Sequence, residues 1–391
     1  MTNTDTKISR KAILPAFLIT EVVAIALLFV MTKVQPLLMG NTYLYDFVQM
    51  LGGCAENNIL YRIAFFFADM TEACFLASMP ASVLMCILAF VAAALERKGS
   101  AKAGTGVDGN GYKFTGMFCA MVLSLILVQL FFGGFFKNGF ILTFCVLLTS
   151  QACVVKYGSS PAKVLTSSIV CTPITFILCH LLMTKVISPL GLPLYLSVAY
   201  SLLVAFPICI FIFDRLPWMV KADENAKVCP PPAPVSESRF FVNRVLGDIG
   251  ELTFWGSSLA TIGMYAGAII SWILNPMHPS FSAGNFPMVL CTQIITAALA
   301  IFIWYPKYKK NGFAFTFTGI VFVSAIVVTY ANTAAVIIPT ILIGAVVFAP
   351  LMDWILKVTK ANGTLPGCFY VQLCVGVVCT AWAFVVKAFL I

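Results

Sequence analysis

The sequence predicts an all-α, polytopic integral membrane protein of about 11 transmembrane helices, arranged as one extra N-terminal helix plus two inverted-topology five-helix repeats. Three observations predict it: the composition, the spacing of the apolar runs with their flanking charges, and an internal repeat.

The 391 residues are 61% apolar and 10% charged, with a mean hydropathy of +0.98. Soluble domains are about 45–50% apolar and about a quarter charged. A chain this poor in polar side chains cannot cover its apolar surface in water. A soluble enzyme, a secreted disulfide scaffold, a disordered tail and a nucleic-acid-binding module are therefore excluded, and the expected solvent is a lipid bilayer.

Apolar stretches of about 20 residues mark candidate spans. They fall at 12–32, 70–95, 114–136, 139–155, 164–184, 193–213, 249–274, 286–305, 313–331, 334–356 and 368–391. With the N-terminus in the cytoplasm, Lys7, Arg10 and Lys11 lie inside. Only Lys33, Arg62, Lys137, Lys185 and Lys387 lie outside, which leaves nineteen of 24 basic residues inside. The positive-inside rule then sets N-in, C-out in a cytoplasmic (inner) membrane, and the net charge of +9 reads as topology rather than as an anion site. The first apolar run is long enough to span and lacks a cleavage pattern, so it is expected to be retained. The 14 cysteines form no C-x-x-C pair and only two histidines occur, so no metal site is expected. Asn362-Gly363-Thr364 has the glycosylation pattern but falls inside, where it reads as a turn.

Lys137-Asn138-Gly139-Phe140 recurs as Lys310-Asn311-Gly312-Phe313. At the same offset Thr143, Phe144, Ala152, Val154, Val155 and Tyr157 match Thr316, Phe317, Ala325, Val327, Val328 and Tyr330. Upstream, Asp69, Glu72, Phe75, Ser78, Ala81 and Met85 match Asp248, Glu251, Phe254, Ser257, Ala260 and Met264. Four segments follow: 1–58, the N-terminal helix and an outer segment; 59–213, the first repeat; 214–243, a Pro-containing cytoplasmic linker; and 244–391, the second repeat. Five spans per unit, an odd number, turn the second copy upside down. The linker run Cys229-Pro230-Pro231-Pro232-Ala233-Pro234 should be extended and stiff.

This plan is similar to that of the citrate and glutamate symporter families, which also use inverted five-helix repeats. Their glycine-rich signature hairpins are missing here, so the resemblance implies architecture and carries over no site residue or substrate. Halves related by an in-plane pseudo-two-fold axis can exchange conformations, giving two states open to opposite sides with the site between the repeats. The expected function is a secondary active transporter for a small polar solute, driven by a proton or sodium gradient. The solute is expected to be neutral, zwitterionic or monoanionic, because no buried Arg or Lys sits securely at mid-membrane. No cofactor is expected beyond Na+ or H+ as the coupling ion, and span one could serve as a homodimer contact. The chain has no G-x-x-x-x-G-K-[ST] run for ATP. The alternatives are a membrane subunit of a larger transport complex, of phosphotransferase or importer type, and an integral-membrane lipid-modifying enzyme. Two histidines and no Asp-rich run speak against the enzyme.

The ion-coupling candidates are Asp69, Glu72, Asp248 and Glu251, since a carboxylate in the apolar zone costs roughly 2.5–3.5 kcal/mol and rarely lacks a purpose. Asp-x-x-Glu is also a capping box at the start of the helices expected over 70–95 and 249–274. Substrate-binding candidates are Ser78 and Ser82, with Pro80 expected to interrupt the helix between them, and Ser257, Ser258 and Thr261 in the second copy. Thr149, Ser150, Gln151 and Gln293 complete the set as mid-span polar side chains. Packing by small hydroxyl residues accounts for the same serines and threonines. His180 aligns with Asp353 as a second titratable pair.

Overall fold

A computed structural model describes residues 10–104, 111–222, 227–330, 333–361 and 363–390. Lys7 and Asn362 lie outside the described residues. Every regular element among those residues is helical. Seven helices are long and apolar enough to cross a membrane, or up to nine if each of two bent pairs is one span. The protein is thus built for embedding in a membrane.

Helix α1 (Leu14–Leu38) packs against α12 (Phe286–Asn311), with Phe17 stacked on Phe302 at 4.3 Å. Pro306 inside α12 has no N–H to give the carbonyl four residues back. The Arg10 guanidinium takes that place, donating to the carbonyls of Phe302 at 3.1 Å and Ile303 at 2.8 Å. Two short helices follow α1, α2 (Phe47–Ala55) and α3 (Ile59–Asp69). Then come α4 (Met79–Glu96), α5 (Phe114–Leu127, prolonged by a π turn and a 3-10 turn to Asn138), α6 (Phe144–Tyr157), α7 (Pro161–Leu182) and α8 (Tyr195–Phe213). After the short α9 (Pro217–Val220) the Pro-rich run has no regular structure, as its composition requires, and the Ala233 N–H donates to Gly99 at 3.1 Å. Helix α10 (Glu237–Gly250) begins inside the stretch expected to be linker. Helices α11 (Ser258–Leu274), α13 (Phe317–Tyr330), α14 (Ala334–Val346), α15 (Phe348–Val358) and α16 (Gly367–Phe389) complete the second half.

Expected span 70–95 is not continuous. The chain leaves α3 at Asp69, makes a 3-10 turn over Glu72–Cys74, passes through left-handed Phe75 (φ 62°) and begins α4 after the Ser78 cap. The stretch 249–274 repeats this form: a 3-10 turn over Glu251–Thr253, left-handed Phe254 (φ 63°), then the Ser257 cap of α11. The capping boxes expected at Asp69 and Asp248 are therefore not formed. Both aspartates lie at the C-terminal ends of short helices, and the serines Ser78 and Ser257 cap instead. Pro80 falls in the first turn of α4, where the missing N–H has no partner to lose, so it starts the helix rather than interrupting it.

Helices α6 and α13 have 14 residues each, about 21 Å at 1.5 Å per residue, short of the ~30 Å hydrocarbon core. Each is preceded by five non-helical residues, 139–143 and 312–316, which add up to about 16 Å when extended. Open backbone at membrane depth is tolerated only where protein covers it or it lines a cavity, and these two segments border the cavities described below.

Helices α4 and α11 cross at backbone contact. A Cβ on Gly263 would lie 2.5 Å from the Leu84 carbonyl oxygen, and one on Gly267 would collide with that of Pro80. This Gly-x-x-x-Gly spacing puts both glycines on one face and lets the helix axes approach closely. Ser78 and Ser271 hydroxyls join the same two helices at 2.6 Å.

Candidate functional site

The crossing brings the two 3-10 turns side by side at the centre of the molecule, with Cys74 Sγ 3.7 Å from the Ile249 carbonyl. Each turn is held by an amide from the other half. Gln293 on α12 donates to the Cys74 carbonyl at 2.9 Å, and accepts from Tyr265 at 2.8 Å. Gln151 on α6, in the amide orientation that satisfies both of its ends, donates to the Thr253 carbonyl at 3.2 Å and accepts from Trp255 Nε1 at 3.0 Å. Cys74 and Thr253 are matching positions of the two turns. These amides offset the cost of unwound backbone that water cannot reach.

The Asp-x-x-Glu pairs are buried in both halves. Asp69 accepts a hydrogen bond from Thr143, and Asp248 accepts one from Thr316, its matching threonine, and from Tyr308. The charge around the pairs differs. Arg244 Nη2 lies 2.6 Å from Asp248 Oδ1 and 2.6 Å from Glu251 Oε1, with its guanidinium over the rings of Tyr308 and Phe313. One cation thus bridges both acids. Four residues before Asp69 the chain carries Phe65 instead. Asp69 and Glu72 face each other, with no ion pair to Lys or Arg among the described residues. The two acids are near enough to share a hydrogen bond, and the Phe144 backbone lies beside Glu72.

Two cavities reach this centre. The first, about 380 Å³, is lined by Glu72, Phe75, Phe140, Phe144 and Tyr195, with Phe47 and Phe281 also in its wall. The second, about 310 Å³, is lined by Glu251, Phe254, Phe313, Phe317 and Tyr195. Their walls are matching residues, glutamate for glutamate and phenylalanine for phenylalanine. Among the described residues, Tyr195 of α8 alone borders both. Its hydroxyl donates to Gln372 Oε1 on α16 at 2.8 Å, and Gln372 itself borders the second cavity.

Of the ion-coupling and substrate-binding candidates taken from sequence, Glu72 and Glu251 border these cavities and the others do not. The hydroxyls are turned into the protein. Ser82 meets Thr71 at 3.0 Å, Thr261 donates to the Leu246 carbonyl at 2.6 Å, and Ser258 is buried within reach of Gly104. Thr149 accepts from Thr175 at 3.0 Å and Ser150 donates to Leu147 at 3.3 Å. His180 packs against Phe135 and Phe176 while Asp353 pairs with Lys307, so the two form no common site. Among the described residues no cluster of His, Cys, Asp and Glu is arranged to hold a metal.

The sequence reading missed Arg244, Tyr195 and the glycine pair of α11. Arg244 stands one helical turn before Asp248 and two before Glu251, a spacing legible as a cation serving both acids. Gly263 and Gly267 carry a recognisable packing motif. Nothing in the sequence marks Tyr195. Comparison with protein-family models, curated proteins and solved structures gives no match.

Proposed function

We propose that the protein is a secondary active transporter that moves a small polar solute across the cytoplasmic membrane by alternating access. The observation that carries this reading is the pair of cavities with matching walls, separated by Tyr195. A cavity on each side of one central partition is what two interconverting states require. In this reading the seven long helices, the two bent pairs and the two short helices with their extended leaders make eleven spans. Residues 59–213 and 244–391 are then inverted repeats, with the N-terminus inside and the C-terminus outside. The first cavity opens outward beside Phe47 and Phe281, and the second opens inward beside Phe313. Asp69, Glu72, Asp248 and Glu251 are the acids past which a coupling proton or sodium ion moves. The swapped amides of Gln151 and Gln293 support the reading, because each half holds the turn of the other.

The experiment is uptake by the purified protein in proteoliposomes under imposed proton or sodium gradients, against a panel of organic cations, organic anions, amino acids and nucleosides. Accumulation of none of them ends the transporter reading. For the inverted plan, single cysteines placed at positions 138 and 311 should label from opposite sides of the membrane. Labelling of both from one side excludes it.

A further inference from the structure

We propose that the first cavity is a binding site for an organic monocation with an apolar or aromatic body, its positive head at Glu72 and its body among the rings.

The Glu72 side chain is fully buried, borders a cavity of about 380 Å³, and has the Asp69 carboxyl and the Phe144 backbone beside it but no cation among the described residues. Two neighbouring acids withdrawn from water cannot both be ionised without a counter-charge except at high cost, and a positive group placed in that cavity supplies the charge the protein leaves out. At the matching place in the second half the protein supplies its own cation, Arg244, to Glu251. The chain therefore supplies a counter-charge to this acid on one side and none among the described residues on the other.

The wall decides the rest of the ligand. Six aromatic residues border the first cavity. Phe47, Phe140 and Phe281 form one cluster, with centroids 5.3–6.0 Å apart. Phe75 and Phe144 both approach Tyr195, at 5.5 and 6.3 Å, and form a second cluster. Ring faces attract cations, most strongly where water is excluded, and their surfaces bury an apolar body. A carboxylate solute would meet Glu72 and those same faces as repulsion. The expectation of a neutral, zwitterionic or monoanionic solute followed from the lack of a mid-membrane cation. That lack, beside aromatic walls and two neighbouring acids without a counter-charge among the described residues, argues more directly for a cation. The proposal rests on the transporter reading for its route of access, while its binding chemistry stands apart from it.

The test is equilibrium binding of benzyltrimethylammonium to the purified full chain, with benzyl alcohol and phenylacetate as neutral and anionic comparisons of similar body. Saturable binding of the cation, at least tenfold tighter than either comparison, is expected. Glu72→Gln should weaken it tenfold or more, while Glu56→Gln, at an exposed acid at the end of α2, should leave it within twofold. Equal affinity across the three compounds, or full cation binding by a folded Glu72→Gln protein, overturns the proposal. The wild-type charge series decides the matter even if the Glu72 variant does not fold. Cation binding without flux in proteoliposomes counts against the transporter reading alone. Flux of other solutes with no cation binding counts against this proposal alone.

Discussion

The Tyr195 hydroxyl donates to Gln372 Oε1 across 2.8 Å, joining α8 to α16 at the wall between the two cavities, while Tyr200 hydrogen-bonds to Gly376 and Thr380 further along the same two helices. Removing the Tyr195 hydroxyl while keeping the ring, as in Tyr195→Phe, leaves the buried Gln372 oxygen short of a donor at a cost of about 1–3 kcal/mol. Tyr195→Ala removes the wall as well. The phenylalanine variant should lower the melting temperature modestly and retain tight vesicles. The alanine variant should leak solute down its gradient without coupling. A tight alanine variant would show that Tyr195 is not the partition.

Arg244 is a counter-charge shared by two buried acids in its half. Breaking a buried ion pair from one side typically costs about 3–5 kcal/mol, because the orphaned charge stays buried. Arg244→Met should therefore reduce folded yield sharply, and Arg244→Met combined with Asp248→Asn and Glu251→Gln should recover much of it. Fluorescence-detected size exclusion with a thermal ramp reads both. A triple variant no better than the single one would mean that the guanidinium acts by packing on Tyr308 and Phe313 rather than by charge.

Gly267 abuts the Pro80 carbonyl with no room for a Cβ. Overpacking a tight contact costs about 1–3 kcal/mol and sometimes more, and here the obstacle is backbone, which does not swing aside. Gly267→Ala should lower the melting temperature by several degrees and Gly267→Leu should abolish the folded peak. Normal behaviour of the leucine variant would place the crossing elsewhere.

His278 lies in the loop after α11, 1% exposed, with Nδ1 2.6 Å from the Tyr45 carbonyl. Burial holds its pKa below the usual imidazole value, against smaller opposing effects of the Tyr45 hydrogen bond and of Asp46. The unfolded loop then binds a proton that the folded one refuses. Stability from this site is complete above about pH 6.5 and declines as the pH falls through that value. Protection factors of residues 275–285, with exchange divided by the intrinsic rate at each pH, should fall between pH 7 and pH 5 in the wild type, and His278→Gln should flatten that dependence. Unchanged protection across the range would mean that the imidazole does not report docking of the loop.

Much of this fold could be read from the chain because its cause is local. Apolar runs of bilayer length placed the long helices within a few residues, as for 193–213 against Tyr195–Phe213. The breaks at Glu72 and Glu251 could not be read that way. Apolar residues continue through both, and the chain unwinds there because α4 and α11 meet and Gln293 and Gln151 are present to receive the freed carbonyls. Those are contacts across more than a hundred residues. The acids were visible as exceptions in an apolar background, and both glutamates reached the cavities. The serines and threonines were visible for the same reason but turned inward, since a hydroxyl on a helix satisfies itself on the preceding turn, as Thr149 does on Cys145 at 3.0 Å. Residue type shows that a polar group needs a partner, and only the packing shows whether the protein already provides one.

The crossing of α4 on α11 has one more consequence. Where a carbonyl oxygen rests on a glycine Cα there is no side chain to compress or change rotamer, so the two helices cannot slide past one another without steric penalty. Rotation about the point of contact disturbs the fewest atoms. On the transporter reading, the smallest residues in the molecule are where its axle belongs, and the bulky aromatic walls on either side are the parts that would swing.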